Sequence, residues 1–199
     1  MNEIERYRSY IEKKLNEYTF VGSKSITSLL SICKIQKLKK GELLLQIGKI
    51  SQQKHILYRG AIVSCYINSE GNVYHKNIFL GGDFVGSTVS ALLNKASNFA
   101  LEAIEDSIVI SFDYGKFREL TEQELDLKNF YISYLEKNWV VDKEKRELDI
   151  VLKEANERYL DFITKHPEIE KRIPLYYIAS HLGITPTQLS RIRRDLKEK

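Results

Sequence analysis

Leu182–Lys199 reads LGITPTQLSRIRRDLKEK, and four signals within it agree on one helix start. Thr185 is a good N-cap. Pro186 falls at the first helical position, where its missing N–H costs nothing. Gln188 falls at the third, completing a T-x-x-Q capping box, and Ile184 and Leu189 bracket the cap as a hydrophobic staple. Upstream, Pro174 opens a shorter helix with Tyr177, Ile178 and Leu182 on one face, and Gly183 can close it in a left-handed conformation. A helix, a glycine turn and a strongly capped second helix make a helix-turn-helix.

The second helix sorts into two faces. Leu189, Ile192 and Leu196 point inward at spacings of three and four. Thr185, Thr187, Gln188, Ser190, Arg191 and Arg194 lie outward. Residues 171–199 hold seven basic residues against Asp195 and Glu198, a local charge of +5, while the chain totals +4. The other 170 residues therefore sum to −1. A basic patch on a neutral body predicts a polyanionic partner for one end of the molecule. On duplex DNA, Gln188 suits adenine and Arg191 suits guanine in the major groove. Ser190, Arg193, Arg194 and Lys197 suit phosphates, with Lys171 and Arg172 nearby.

Away from this end, Ile4, Tyr7, Ile11 and Leu15 predict an amphipathic helix over 3–18, and a second is expected over 24–33. Then the period changes. ELLLQIG, HILYRGAIVSCYI, VYHKNIFL, FALEAI and SIVISF are short β-branched and aromatic runs separated by turn residues, with a hairpin expected at Ser69-Glu70-Gly71-Asn72. They predict an antiparallel sandwich or barrel over about 35–112. Asp113 can cap a following helix. From 122 to 150 there is neither Gly nor Pro, and Leu127, Tyr134, Val141 and Leu148 recur every seven residues. Such a helix, about 40 Å long, is expected to pair with its own copy. Tyr131 and Asn138 join the expected interface.

Composition closes other routes. No apolar run reaches the roughly 18 residues a membrane span requires. The charged N-terminus lacks the apolar core of a signal peptide, which predicts a cytoplasmic protein. Cys33 and Cys65 are too few for a disulfide framework or a four-thiolate cluster. No Ser-His-Asp context, phosphate loop or metal spacing appears, and Glu102, Glu105 and Asp106 flank strands without forming a catalytic pair. An enzyme, a cofactor and a metal are therefore not expected.

The stretch NERYLDFITKHPEIEKRIPLYYIASHLGITPTQLSRIRRDL, with Gly48, Gly60 and GGDFVG further upstream, resembles the cyclic-AMP receptor protein / fumarate–nitrate reductase regulator (Crp/Fnr) superfamily. The resemblance implies an α+β chain: a cupin-like β-barrel effector domain (1–121), a dimerisation helix (122–150) and a helix-turn-helix domain (151–199). It implies a homodimeric transcriptional regulator with a near-palindromic DNA operator, RNA polymerase and an unidentified small-molecule effector as partners. On the family's pattern the effector pocket would include Gly82, Asp83, Phe84, Ser97 and Asn98. The cassette arginine that neutralises a cyclic phosphate is missing, because no Arg lies between Arg59 and Arg118. Neither cyclic AMP nor cyclic GMP is therefore expected to bind. Many relatives add a β-hairpin wing after the last helix; here DNA contact is expected to rest on one helix per subunit. The competing reading is a small-molecule-binding cupin-like module whose C-terminal helices make protein contacts.

Overall fold

The computed structural model describes residues 3–68, 70–71 and 73–197. A 3₁₀ turn, Glu3–Tyr7, leads into α1 (Arg8–Asn16), followed by α2 (Ser23–Ser31). Eight strands follow: β1 (Cys33–Leu38), β2 (Leu43–Leu45), β3 (Gln53–Arg59), β4 (Ala61–Ile67), β5 (Val73–Leu80), β6 (Phe84–Val85), β7 (Phe99–Ala103) and β8 (Ser107–Asp113). A short helix, α3 (Thr88–Leu93), interrupts them before β7.

The strands form two four-stranded antiparallel sheets, β1-β8-β3-β6 and β2-β7-β4-β5. They are two open sheets face to face, so the barrel expected from the sequence is corrected to a sandwich. Strands β1 and β6 and helix α3 were not foreseen. β6 has only two residues and β1 carries Lys34, Gln36 and Lys37, so neither shows a clear alternation. Strands β4 and β5 pair as the expected hairpin, with Gly71 N–H donating to Asn68 O; Ser69 and Asn72 lie outside the described residues.

Four layers result. Between the sheets lie Leu38, Leu57, Ile62, Leu101 and Val109. The outer face of the first sheet (Ile56, Ile110, Phe112) is covered by α1, α2 and the helices after β8. The outer face of the second (Ala61, Val63, Cys65, Ala100) is covered by the C-terminal helices. This explains the unbroken apolar runs in HILYRGAIVSCYI: Ile56 and Leu57 face different cores, as do Ile62 and Val63. Gly60 separates the two strands at φ 107°, and a Cβ there would stand 2.7 Å from the Ser107 backbone. Only glycine fits both the turn and the approach.

Asp113 caps α4 (Tyr114–Gln123), accepting from the Lys116 N–H at 2.8 Å. Glu124 is extended and breaks the chain direction. A continuous helix then runs through α5 (Leu125–Leu135), a π-helical turn (Glu136–Val141) and α6 (Asp142–Leu152), about 42 Å in all. After Lys153 come α7 (Ala155–Lys165), α8 (Ile169–Arg172), α9 (Leu175–His181) and α10 (Pro186–Lys197). A full capping box, Glu154 with Glu157, starts α7.

The seven-residue stripe divides at the π turn. Leu127 is fully buried and Tyr131 nearly so, both in the chain's own core, and Tyr134 stacks on Phe130 and meets Phe84 at a tilt. The expectation that Leu127 and Tyr131 face a second chain is therefore corrected: both join the chain's own core, with Tyr114 and Phe117 of α4 against Tyr131. Asn138 donates to Tyr18 Oη at 3.1 Å and to Tyr134 O at 2.8 Å. Beyond it, Val140, Val141, Leu148, Ile150, Val151 and Leu152 are at least half exposed.

Candidate nucleic-acid interface

Helix α10 is positioned as its sequence signals require. Thr185 Oγ1 accepts from the Gln188 N–H at 3.1 Å. Gly183 takes φ 71° in the turn, and the Ile184 N–H donates to Ala179 O at 3.0 Å. Leu189 is buried, with Ile184, Ile192 and Leu196 packed beside it. That anchoring leaves Thr185, Thr187, Gln188, Ser190, Arg191, Arg194 and Lys197 exposed on one continuous face. Arg191 has no ion pair among the described residues, and Arg194 lies 3.5 Å from its neighbour Asp195.

Two arginines assigned to phosphate are engaged in ion pairs within the chain. Arg193 Nε sits 2.7 Å from Glu170, which also accepts from Tyr159 Oη at 2.7 Å. Arg172 forms a bidentate pair with Glu105, at 2.7 and 3.2 Å, and reaches Gly60 O at 3.4 Å. Lys171 is paired with Glu168. The spacing of these charges along the sequence gave no sign of such partners, because Glu105 lies 67 residues away. Glu198 and Lys199 fall outside the described residues.

The five expected effector residues do not converge. Gly82 donates to Leu57 O at 2.7 Å and lies beside Lys14, and Asp83 accepts from the Leu80 N–H at 2.8 Å. Phe84 packs on Tyr18 and Tyr134. Ser97 is buried and donates to Phe99 O at 2.9 Å, while Asn98 is exposed. The short helix after the glycine turn opens at Gly86-Ser87, four residues beyond the expected pocket residue Gly82. The cation beside that opening is Lys54, which donates to Thr88 Oγ1 and lies 5.9 Å from the Tyr114 ring; Lys95 is exposed. Burial lowers the Lys54 pKa to about 7.

The space between the sheets is apolar, with Phe79 and Phe99 against the buried residues named above. Its polar inlay is His55, whose Nδ1 lies 2.8 Å from Ser111 Oγ. Burial holds the His55 pKa down to about 3, so the ring is neutral. Cys33 and Cys65 are free thiols. Among the described residues no cluster of three or more His, Cys, Asp or Glu is placed to hold a metal ion, and no helix is long and apolar enough to cross a membrane.

A cavity of about 320 Å³ lies against β5 and α9, lined by Tyr66, Tyr74, His75, Lys76 and Ser180. Another, of about 330 Å³, lies among Ile50, Gln52, Ala91, Asn94 and Tyr114. Neither includes the five residues expected to bind an effector.

With this geometry in hand, residues 35–124 match the family model of the cyclic nucleotide-binding domain. Most of the chain shares its fold with solved regulators of the kind its resemblance implied. FixK2 from Bradyrhizobium japonicum superposes with a TM-score of 0.69 at 17% identity, covering 84% of this chain and 85% of that one. The c-di-GMP responsive global regulator CLP of Xanthomonas campestris gives 0.65 at 11% identity, covering 89% and 92%. The Thermus thermophilus catabolite activator protein gives 0.56 at 16% identity, covering 93% and 87%. No curated protein sequence matches the chain.

Proposed function

We propose that the chain is a homodimeric, sequence-specific DNA-binding transcriptional regulator of the Crp/Fnr type, acting in the cytoplasm. The observation that carries this reading is the exposed face of α10, where Gln188 and Arg191 stand free beside a capped helix start. The N-terminal residues of such a helix approach base edges, and its N–H groups suit a phosphate. Arg194 and Lys197 supply backbone charge on the same face. The helix-turn-helix is then α9 and α10, and the three expected regions, 1–121, 122–150 and 151–199, keep their roles.

Dimerisation on this reading uses the outer half of the long helix. Val141 and Leu148 lie seven residues apart and both are exposed, with Val151 and Leu152 one turn beyond. Two copies of α10 would reach successive major grooves about 34 Å apart, so the target is a near-palindrome. RNA polymerase and an unidentified small molecule are the remaining partners. The effector is not a cyclic nucleotide: a cyclic phosphate between the sheets would find no arginine and an apolar lining.

The test is selection of genomic fragments by the purified protein, then anisotropy on the selected duplex and a scrambled one across a salt series. Arg191→Ala is expected to cost about 1–3 kcal/mol on the selected site and relax its base preference. Lys197→Ala should weaken both duplexes alike and shallow the salt slope by about one. Equal losses on both duplexes for both variants would reduce α10 to an electrostatic patch. An empty selection would favour the module whose C-terminal helices contact protein.

A further inference from the structure

Helix α8 has four residues, Ile169–Arg172, and it carries charge in both directions. Arg172 points to the sandwich. It holds the Glu105 carboxylate through two nitrogens and adds the Gly60 carbonyl, so one guanidinium spans the β3–β4 and β7–β8 turns. Glu170 points the other way and holds Arg193 of α10 at 2.7 Å, with Tyr159 Oη on the same carboxylate. Ile169 is buried beneath the pair. At the far edge of the same sheet α9 packs directly on β5: the His75 ring meets Tyr177 at 4.6 Å, the His75 N–H donates to Ser180 Oγ at 3.0 Å, His181 Nδ1 lies 3.1 Å from Lys76 O, and Arg146 donates to Asn77 Oδ1 at 2.8 Å.

We propose that Glu105–Arg172 and Glu170–Arg193 form an ion-pair relay through α8 that sets the orientation of α10 relative to the β-sandwich. Arg172 and Arg193 are positioning residues here, not phosphate contacts. The relay gives a signal arriving at the β7–β8 turn a short covalent and electrostatic path to the DNA-facing helix, and the apolar seam beneath supplies the hinge. The proposal rests on the DNA-binding reading only for its consequence; the relay itself is measurable without DNA.

The experiment compares the full-length protein with Glu105→Gln, Arg172→Gln and the charge swap Glu105→Arg/Arg172→Glu. Hydrogen exchange without DNA is expected to rise several-fold in α8 and α9 for both single variants, and to return toward the parent in the swap. On the selected duplex, both single variants should weaken binding about three- to ten-fold with an unchanged salt slope, and the swap should recover most of it. A phosphate role predicts the opposite pattern. Removing the acid Glu105 would then tighten DNA binding, and Arg172→Gln would weaken it while shallowing the salt slope by about one. That pattern, or unchanged exchange in both single variants, overturns the relay. If exchange responds while no duplex binds, the relay stands and the DNA reading falls.

Discussion

The two outer faces of the sandwich are covered in different ways. The first sheet meets its helices through large side chains: Ile11, Leu15, Ile26, Leu29, Leu127 and Phe130, with Tyr18, Phe84 and Tyr134 in edge and tilted ring contacts. The second offers smaller residues at its centre, Ala61, Val63, Cys65 and Ala100, with Ile78, Leu80 and Ile104 around them and hydrogen bonds and the Arg172–Glu105 pair at the margin. A face built from interlocked rings buries much area and gives a permanent core. A face of small residues buries less and leans on polar contacts, which water can replace. The second cover is therefore expected to open more readily than the first.

That contrast can be broken most decisively at Leu127, which has no exposed surface. Leu127→Ala is expected to cost about 2–5 kcal/mol of global stability in denaturant titration. A loss below 1 kcal/mol would mean the first face is not a permanent core. On the second face, Val63→Ala removes two methyl groups and should cost about 1.6 kcal/mol. Its mark should be regional: faster hydrogen exchange in α9, with α1 and α2 as protected as before. Uniform deprotection would show that the two covers open as one.

Acid should loosen the second face first. Burial, reinforced by Arg146, holds the His181 pKa down to about 4, and burial also lowers His75 and His166. Facing them are the Lys76 carbonyl, Lys165 and Glu102, and Glu102 partly offsets the shift of His75. A histidine with a depressed pKa contributes fully above about 6.5 and loses that contribution as pH falls toward its docked value. At pH 5.5 the open fraction of the seam should rise about tenfold through His181 alone, with His75 and His166 acting in the same direction, and His181→Gln should flatten the response. A profile that is flat in the parent chain would remove the histidines from the contrast.

The smallest expected effect sharpens the first face. Lys54 is half-buried there with no ion pair among the described residues, and its pKa of about 7 reports the cost. Lys54→Met should stabilise the protein by about 1 kcal/mol at neutral pH, raising Tm by roughly 2–4 °C. A fall in Tm would mean that the Thr88 contact outweighs the burial of charge.

How much of this was legible depended on the range of the interaction. The caps at Asp113 and Thr185 and the glycine turn at Gly183 are local, and the sequence displayed them whole. The strands of the second sheet stood out because Ala61–Cys65 are buried on both faces. What failed was long-range. The seven-residue stripe has one period whether it faces a partner or its own domain, so Leu127 and Tyr131 looked like seam residues. Arg172 and Arg193 looked like phosphate ligands because Glu105 and Glu170 become their partners only in the folded chain. The five expected effector residues lie apart because the glycines of GGDFVG offer two openings, and α3 uses Gly86.

Cys65 sits on the second face, beneath the C-terminal helices. Burial and the nearby Glu102 raise its pKa to about 12, so the docked thiol is protonated and a poor nucleophile. Every departure of those helices would uncover it. A thiol reagent in excess would then count openings, and the rate of Cys65 alkylation would be a clock for the seam. Cut short at Leu152, the chain would lose the lid altogether: Ala61, Val63 and Ala100 would meet water as an apolar patch, favouring aggregation, and the thiol would be open to oxidants. The C-terminal helices thus also shield an apolar patch and a thiol from water.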